Sequence, residues 1–160
     1  IHEVFLPPQG FVEFGNQPPQ LAWRACCEFH TSGPAFGKIM SEVSPRHAVG
    51  YHFMNEEATR YLVYDGIRET YDGALSMATD MMTWNITGDA VTERMAVSPD
   101  RDWDVEGPGE HLAPDRSRKS EYTRFTLDGR LDVDDANRAW MTAFMEENGL
   151  SEDVLSVGED

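Results

Sequence analysis

Between Leu21 and His30 the chain alternates with a period of two. Trp23, Ala25, Cys27 and Phe29 fall on one side, and Arg24, Cys26, Glu28 and His30 on the other. This pattern predicts a half-buried strand. Residues 38–43 and 48–54 each have strand length and are separated by Ser44-Pro45, while Tyr61, Leu62, Val63 and Tyr64 give residues 59–65 strong strand propensity. Asn55-Glu56-Glu57 reads as a hairpin tip, and Asp65-Gly66, Asp72-Gly73 and Thr87-Gly88-Asp89 as turns. Residues 74–87 and 90–98 then complete a meander, to which residues 121–127 add a last strand. Within that meander 74–82 is rich in Ala, Leu and Met, which favour helix as much as strand, and it is assigned to strand on context.

The two ends of this run differ from its middle. Residues 1–20 carry Pro7-Pro8 and Pro18-Pro19 around a short apolar piece, which predicts an extended arm able to add an edge strand. Residues 98–119 crowd prolines, glycines and charges around Trp103, Val105 and Leu112 and read as a flap loop. Residues 133–148 show a helical period: Val133, Ala136, Trp140, Ala143 and Phe144 form one apolar stripe, widened by Met141 and Met145. Asp132 and Asp135 supply capping chemistry, and Gly149 ends the helix. The acidic residues 151–160 form a tail.

The expected architecture is therefore a single domain over residues 1–160, mainly β within the α+β class. It is an antiparallel curved sheet or β-barrel closed by one C-terminal helix lying on the sheet. This order of elements is similar to that of the calycin-type barrels. It resembles less closely the helix-grip (Bet v 1-like) cups, which place helices after their first strand. Both resemblances imply a container for a small molecule and neither implies a reaction.

Charge narrows the partners. A formal net charge of −16 on 160 residues would repel phosphate backbones and anionic lipid, so neither nucleic acid nor membrane is expected. There is no apolar run of spanning length and no basic start with an apolar stretch at residues 1–10, so the expected location is cytoplasmic. The two cysteines, Cys26 and Cys27, are adjacent and would point to opposite faces of a strand, which suits neither a disulfide nor a shared metal. A homodimer is left open.

Candidate chemistry centres on histidine. Glu28 and His30 share a face of the predicted strand, where a carboxylate can orient an imidazole for acid/base work near neutral pH. His52, on the predicted strand over 48–54, is the alternative base. His30, His47 and His52 together could supply a metal, but a spacing of five puts His47 and His52 on opposite faces of a strand. The sequence therefore predicts no metal and no cofactor. Asp100, Asp102, Asp104 and Glu106 resemble half a calcium loop that lacks its glycine, Val105 standing at the sixth position, and has His111 at the twelfth. Phosphate cradles, nucleophile elbows and Cys-x-x-Cys pairs are absent from the sequence.

Tyr51, Phe53, Tyr64, Trp84 and Tyr122 are the aromatic residues expected to line the pocket. The functional expectation is a small, largely apolar or aromatic metabolite, held in a barrel and changed by cofactor-free acid/base chemistry of isomerase, cyclase, dehydratase or decarboxylase type. The alternatives are a non-catalytic carrier with the same pocket, or an acidic module that binds a basic protein partner.

Overall fold

Each Pro-Pro pair opens a helix. In the computed structural model, which describes residues 1–96 and 123–151, Pro8 starts α1 (Pro8–Glu13) and Pro19 starts α2 (Pro19–Arg24). A proline there gives up an N–H that has no intrahelical acceptor, and its fixed φ suits the first turn, so the expected extended arm winds instead. Before it, β1 (His2–Glu3) is a short strand.

Helix α2 continues into a π-helical turn, Ala25–Phe29, where the sequence predicts a strand. Ala22, Trp23 and Cys26 are buried while Phe29 is 62% exposed, so burial follows helical spacing rather than alternation. Arg24 and Glu28 meet across one turn at 3.0 Å. Ser32 then caps α3 (Gly33–Val43) by accepting the Ala35 N–H at 3.2 Å, and the expected strand over 38–43 is the second half of this helix.

Of the predicted strand over 48–54, β2 (Ala48–Tyr51) remains. The supposed hairpin tip is the start of α4 (Glu57–Arg68): the Glu56 carboxylate accepts the Thr59 N–H, and the Thr59 hydroxyl accepts the Glu56 N–H at 3.3 Å. Thr59, Val63, Gly66 and Ile67 are buried at i, i+4, i+7 and i+8, whereas Tyr61 is 61% exposed. That helical period overrides the strand propensity of Tyr61–Tyr64. Next come β3 (Leu75–Met77) and a hairpin of β4 (Met82–Ile86) and β5 (Val91–Met95), which turns at the expected Thr87-Gly88-Asp89.

Strands β1, β2 and β3 form a parallel sheet in that order, and β4 pairs with β5 antiparallel. Neither sheet is closed or curved, and of the described residues 47% are helical and 17% are in strands. The mainly β expectation, as calycin-like barrel or as helix-grip cup, is thus overturned. Parallel neighbours need crossovers, and here helices supply them: α1 to α3 between β1 and β2, and α4 between β2 and β3.

Helices α3 and α4 pack closely through glycines. A Cβ on Gly33 would lie 3.0 Å from the Val63 carbonyl oxygen, and one on Gly37 would strike Thr70 and the Ile67 carbonyl. Val4, Leu6, Phe36, Met40, Ala48, Val63, Ile67 and Tyr71 form the core beneath. The hairpin is tied on by Trp84, whose indole N–H donates to Ser76, and by Arg46, which donates to the Thr87 and Gly88 carbonyls.

Arg124–Asp128 forms a short helix, α5, where the sequence predicts a strand over 121–127. The C-terminal helix α6 (Asp134–Asn148) forms as expected and ends at Gly149 in the left-handed conformation, φ 62°. It does not lie on a sheet: Phe144 packs with Ala22 and Trp23, and buried Asn137 accepts the Ser32 hydroxyl, so α6 rests on α2 and α3. The flap at 98–119, the acidic run from Asp100, His111 and Tyr122 fall outside the described residues.

If α4 is a helix, Ile67→Ala should cost about 2–5 kcal/mol in urea unfolding and Tyr61→Ala less than about 0.5. A large loss for Tyr61→Ala would restore the strand.

Candidate metal centre at the carboxyl ends of the parallel strands

Open α/β sheets bind ligands outside the carboxyl ends of their strands. Glu3 is the last residue of β1, and His52 follows the last residue of β2. Beyond Glu3 the chain is fixed on both sides: the Val4 N–H donates to the Tyr51 carbonyl at 2.9 Å, the Phe5 N–H to the Thr31 carbonyl at 2.7 Å, and Phe5 bridges Ser32. The π-helical turn ends at His30, whose extended backbone (φ −122°, ψ 161°) feeds into Thr31 beside β1. Glu3, His30 and His52, 27 and 22 residues apart in sequence, are thus gathered by the parallel topology.

The Glu3 carboxylate accepts three bonds. His30 Nδ1 lies 2.9 Å from Oε2, and Oε1 accepts the Thr31 N–H at 3.2 Å and its hydroxyl at 3.3 Å. Phe5 stacks on the His30 ring at 4.4 Å and 18°, and the rings of His30 and His52 lie 5.1 Å apart. One donor atom from each of Glu3, His30 and His52 lies within 4.8 Å of the others. His52 holds a left-handed backbone, φ 67°. For a residue other than glycine this is strained, and such strain clusters at ligand sites. A π-helical turn directly before His30 is a second such feature.

Tyr51, His52 and Phe53 also line an open cleft of about 840 Å³ between the end of β2, the first turn of α4 and the residues after β3. Tyr51 stands edge-on to His52 at 6.2 Å. Of the other expected pocket residues, Tyr64 is exposed beneath the Arg68 guanidinium at 5.0 Å, and Trp84 belongs to the hairpin. Neither lines this cleft.

Glu28 pairs with Arg24, and the carboxylate against His30 is that of Glu3. His47 lies at the opposite end of β2 from His52, with Ser76 and Glu93, so two of the three candidate imidazoles meet and the third does not. The sequence leaves the meeting of His30 and His52 to the alignment of predicted strands; in the fold, a helix terminus and a strand end bring them together. Glu3 was hidden in what reads as an arm, and its one local sign is the apolar Val4-Phe5-Leu6 beside it. Cys27 lines the cavity beside Glu3 and His30, but among the described residues neither thiol belongs to the cluster of potential ligand atoms. Burial, with the Glu28 charge adding to it, pushes Cys27 up to about 12, and burial raises Cys26 further.

No protein-family model matches the chain, and no curated protein matches it. Among the described residues no helix is long and apolar enough to cross a membrane.

Burial would raise the Glu3 pKa, but the His30 bond and charge together with the two Thr31 bonds outweigh it and hold the carboxyl below its ordinary value. A depressed native pKa gives stability that is full above the ordinary carboxylate range and is lost as pH falls through the native value. Urea-unfolding stability of the wild type should therefore drop more steeply than that of Glu3→Gln between about pH 5 and 3. Parallel curves would mean that the Glu3 contacts do not persist in solution.

Proposed function

We infer that Glu3, His30 and His52 form a site for one divalent transition-metal ion, and that the protein uses it to hydrolyse a small polar molecule in the adjoining cleft. The observation that carries this reading is the convergence of two imidazoles and a carboxylate within 4.8 Å at the strand ends. Imidazole with carboxylate suits zinc, and catalytic zinc sites use three protein groups and keep a position for water. The ion supplies a bound water whose pKa falls to about 7.

The protein's own contribution is positional. Glu3 engages Nδ1 of His30 at 2.9 Å, which holds the imidazole beside the carboxylate that would share the ion with it. The Phe5 stack stops the ring from turning. His52 provides the second imidazole from the cleft side, and its exposure leaves the approach open to substrate.

A second reading keeps the acid/base chemistry without metal. It is favoured by the three hydrogen bonds already on Glu3, which leave that carboxylate better suited to orient His30 than to ligate. His30 would then be the base, backed by Glu3, with His52 at the cleft wall.

Chelated protein dialysed with zinc and then against zinc-free buffer should retain one equivalent by elemental mass spectrometry. His30→Ala and His52→Ala should lose it and His47→Ala should keep it. Hydrolysis of 4-nitrophenyl esters should follow the zinc content. A wild type that retains no zinc would end the metal reading, and ester turnover that survives chelation but is lost in His30→Ala would install the acid/base one.

A further inference from the structure

The cleft beside His52 holds an arginine whose fork is preset and, among the described residues, unpartnered at both terminal nitrogens. Arg60, on the exposed first turn of α4, donates through Nε to the side-chain oxygen of Asn55 at 2.6 Å. Asn55 is itself held, its amide donating to the Ala78 carbonyl at 3.3 Å. Both residues line the cleft that contains His52. The two terminal nitrogens of Arg60 have no partner among the described residues.

Three other arginines, Arg24, Arg46 and Arg68, are used differently. Arg24 pairs with the Glu28 carboxylate, Arg46 donates both terminal nitrogens to the Thr87 and Gly88 carbonyls, and Arg68 donates Nη1 to the Tyr71 and Gly73 carbonyls. Arg60 is oriented by a neutral amide, so its full charge remains available in a chain with 29 acidic residues. Asp80 lines the same cleft, yet no carboxylate of the described residues lies within 4.0 Å of the Arg60 guanidinium. A planar fork with both ends free matches two oxygens of one anion.

We propose that Arg60 binds an oxyanion of the substrate, a phosphoryl or carboxylate group, so that the cleft selects small anionic molecules and delivers them to the Glu3, His30 and His52 site. This rests on the hydrolytic reading for the reaction, but not for the binding. Asn55 acts as a positioning residue: it sets the plane of the fork and does not touch the anion. Arg60→Lys should restore only part of the affinity, because an ammonium supplies charge without the two-pronged geometry.

The test is a titration of the full chain with inorganic phosphate and, separately, with acetate, followed by calorimetry. It is run on wild type, Arg60→Gln, Arg60→Lys and Asn55→Ala, each with and without one equivalent of zinc. Arg60 is exposed, and matching circular dichroism melts confirm that the variants fold. At least one anion should bind the wild type, about tenfold or more tighter than it binds Arg60→Gln. Arg60→Lys and Asn55→Ala should fall between, and the tighter anion names the group. Equal binding to wild type and Arg60→Gln, or no binding of either anion, overturns the proposal and leaves the metal reading standing. An Arg60-dependent anion in a protein that retains no zinc overturns the metal reading and leaves the anion site.

Discussion

The contact on which the site depends is the Glu3 carboxylate at the end of β1. It accepts from His30 and twice from Thr31, and backbone bonds on either side of the next two residues close the same junction. These bonds join the first strand to the segment between the π-helical turn and α3. Ser32, the next residue along, caps α3 and donates to Asn137 of α6. One short stretch, residues 30–32, thus couples an imidazole to the sheet, to a helix start and to the C-terminal helix. Removing the carboxylate would free the ring and leave the Thr31 donors to find water.

Around this junction the fold supplies rigidity where the site needs it. The glycine-lined approach of α3 and α4 brings the helices close enough to cover one face of the parallel sheet. That packing fixes the ends of β1 and β2 relative to the first turn of α4, and so sets His52 and Arg60 on the same cleft. The strained backbone of His52 is held because Tyr51 before it is anchored in the sheet, its carbonyl accepting the Val4 N–H.

What was legible in the sequence was local. The helix over residues 133–148 is visible because its apolar stripe is long, periodic and ended by glycine, and the turn at Thr87-Gly88-Asp89 because it lies between two β-competent runs. Parts of α2, α3 and α4 look like strand in sequence for one reason: Trp, Tyr, Val, Phe and Ile in short runs fit either period, and only burial at Val63 and Ile67, or at Ala22 and Cys26, decides between them. Proline suits the first turn of a helix as well as an edge strand, and the sequence alone does not separate the two. His30 and His52 stand out in the sequence by their chemistry. Glu3 escaped because its partner is 27 residues away, and no spacing rule encodes a contact made by parallel topology.

The proposed centre brings two imidazoles and one carboxylate to one ion. X-ray absorption of the zinc-loaded protein counts those ligands directly. Two imidazoles per zinc with the remaining donors oxygen, a count unchanged in His47→Ala, would bear the claim out. A zinc surrounded by oxygen alone, or an imidazole count that falls in His47→Ala, would contradict it.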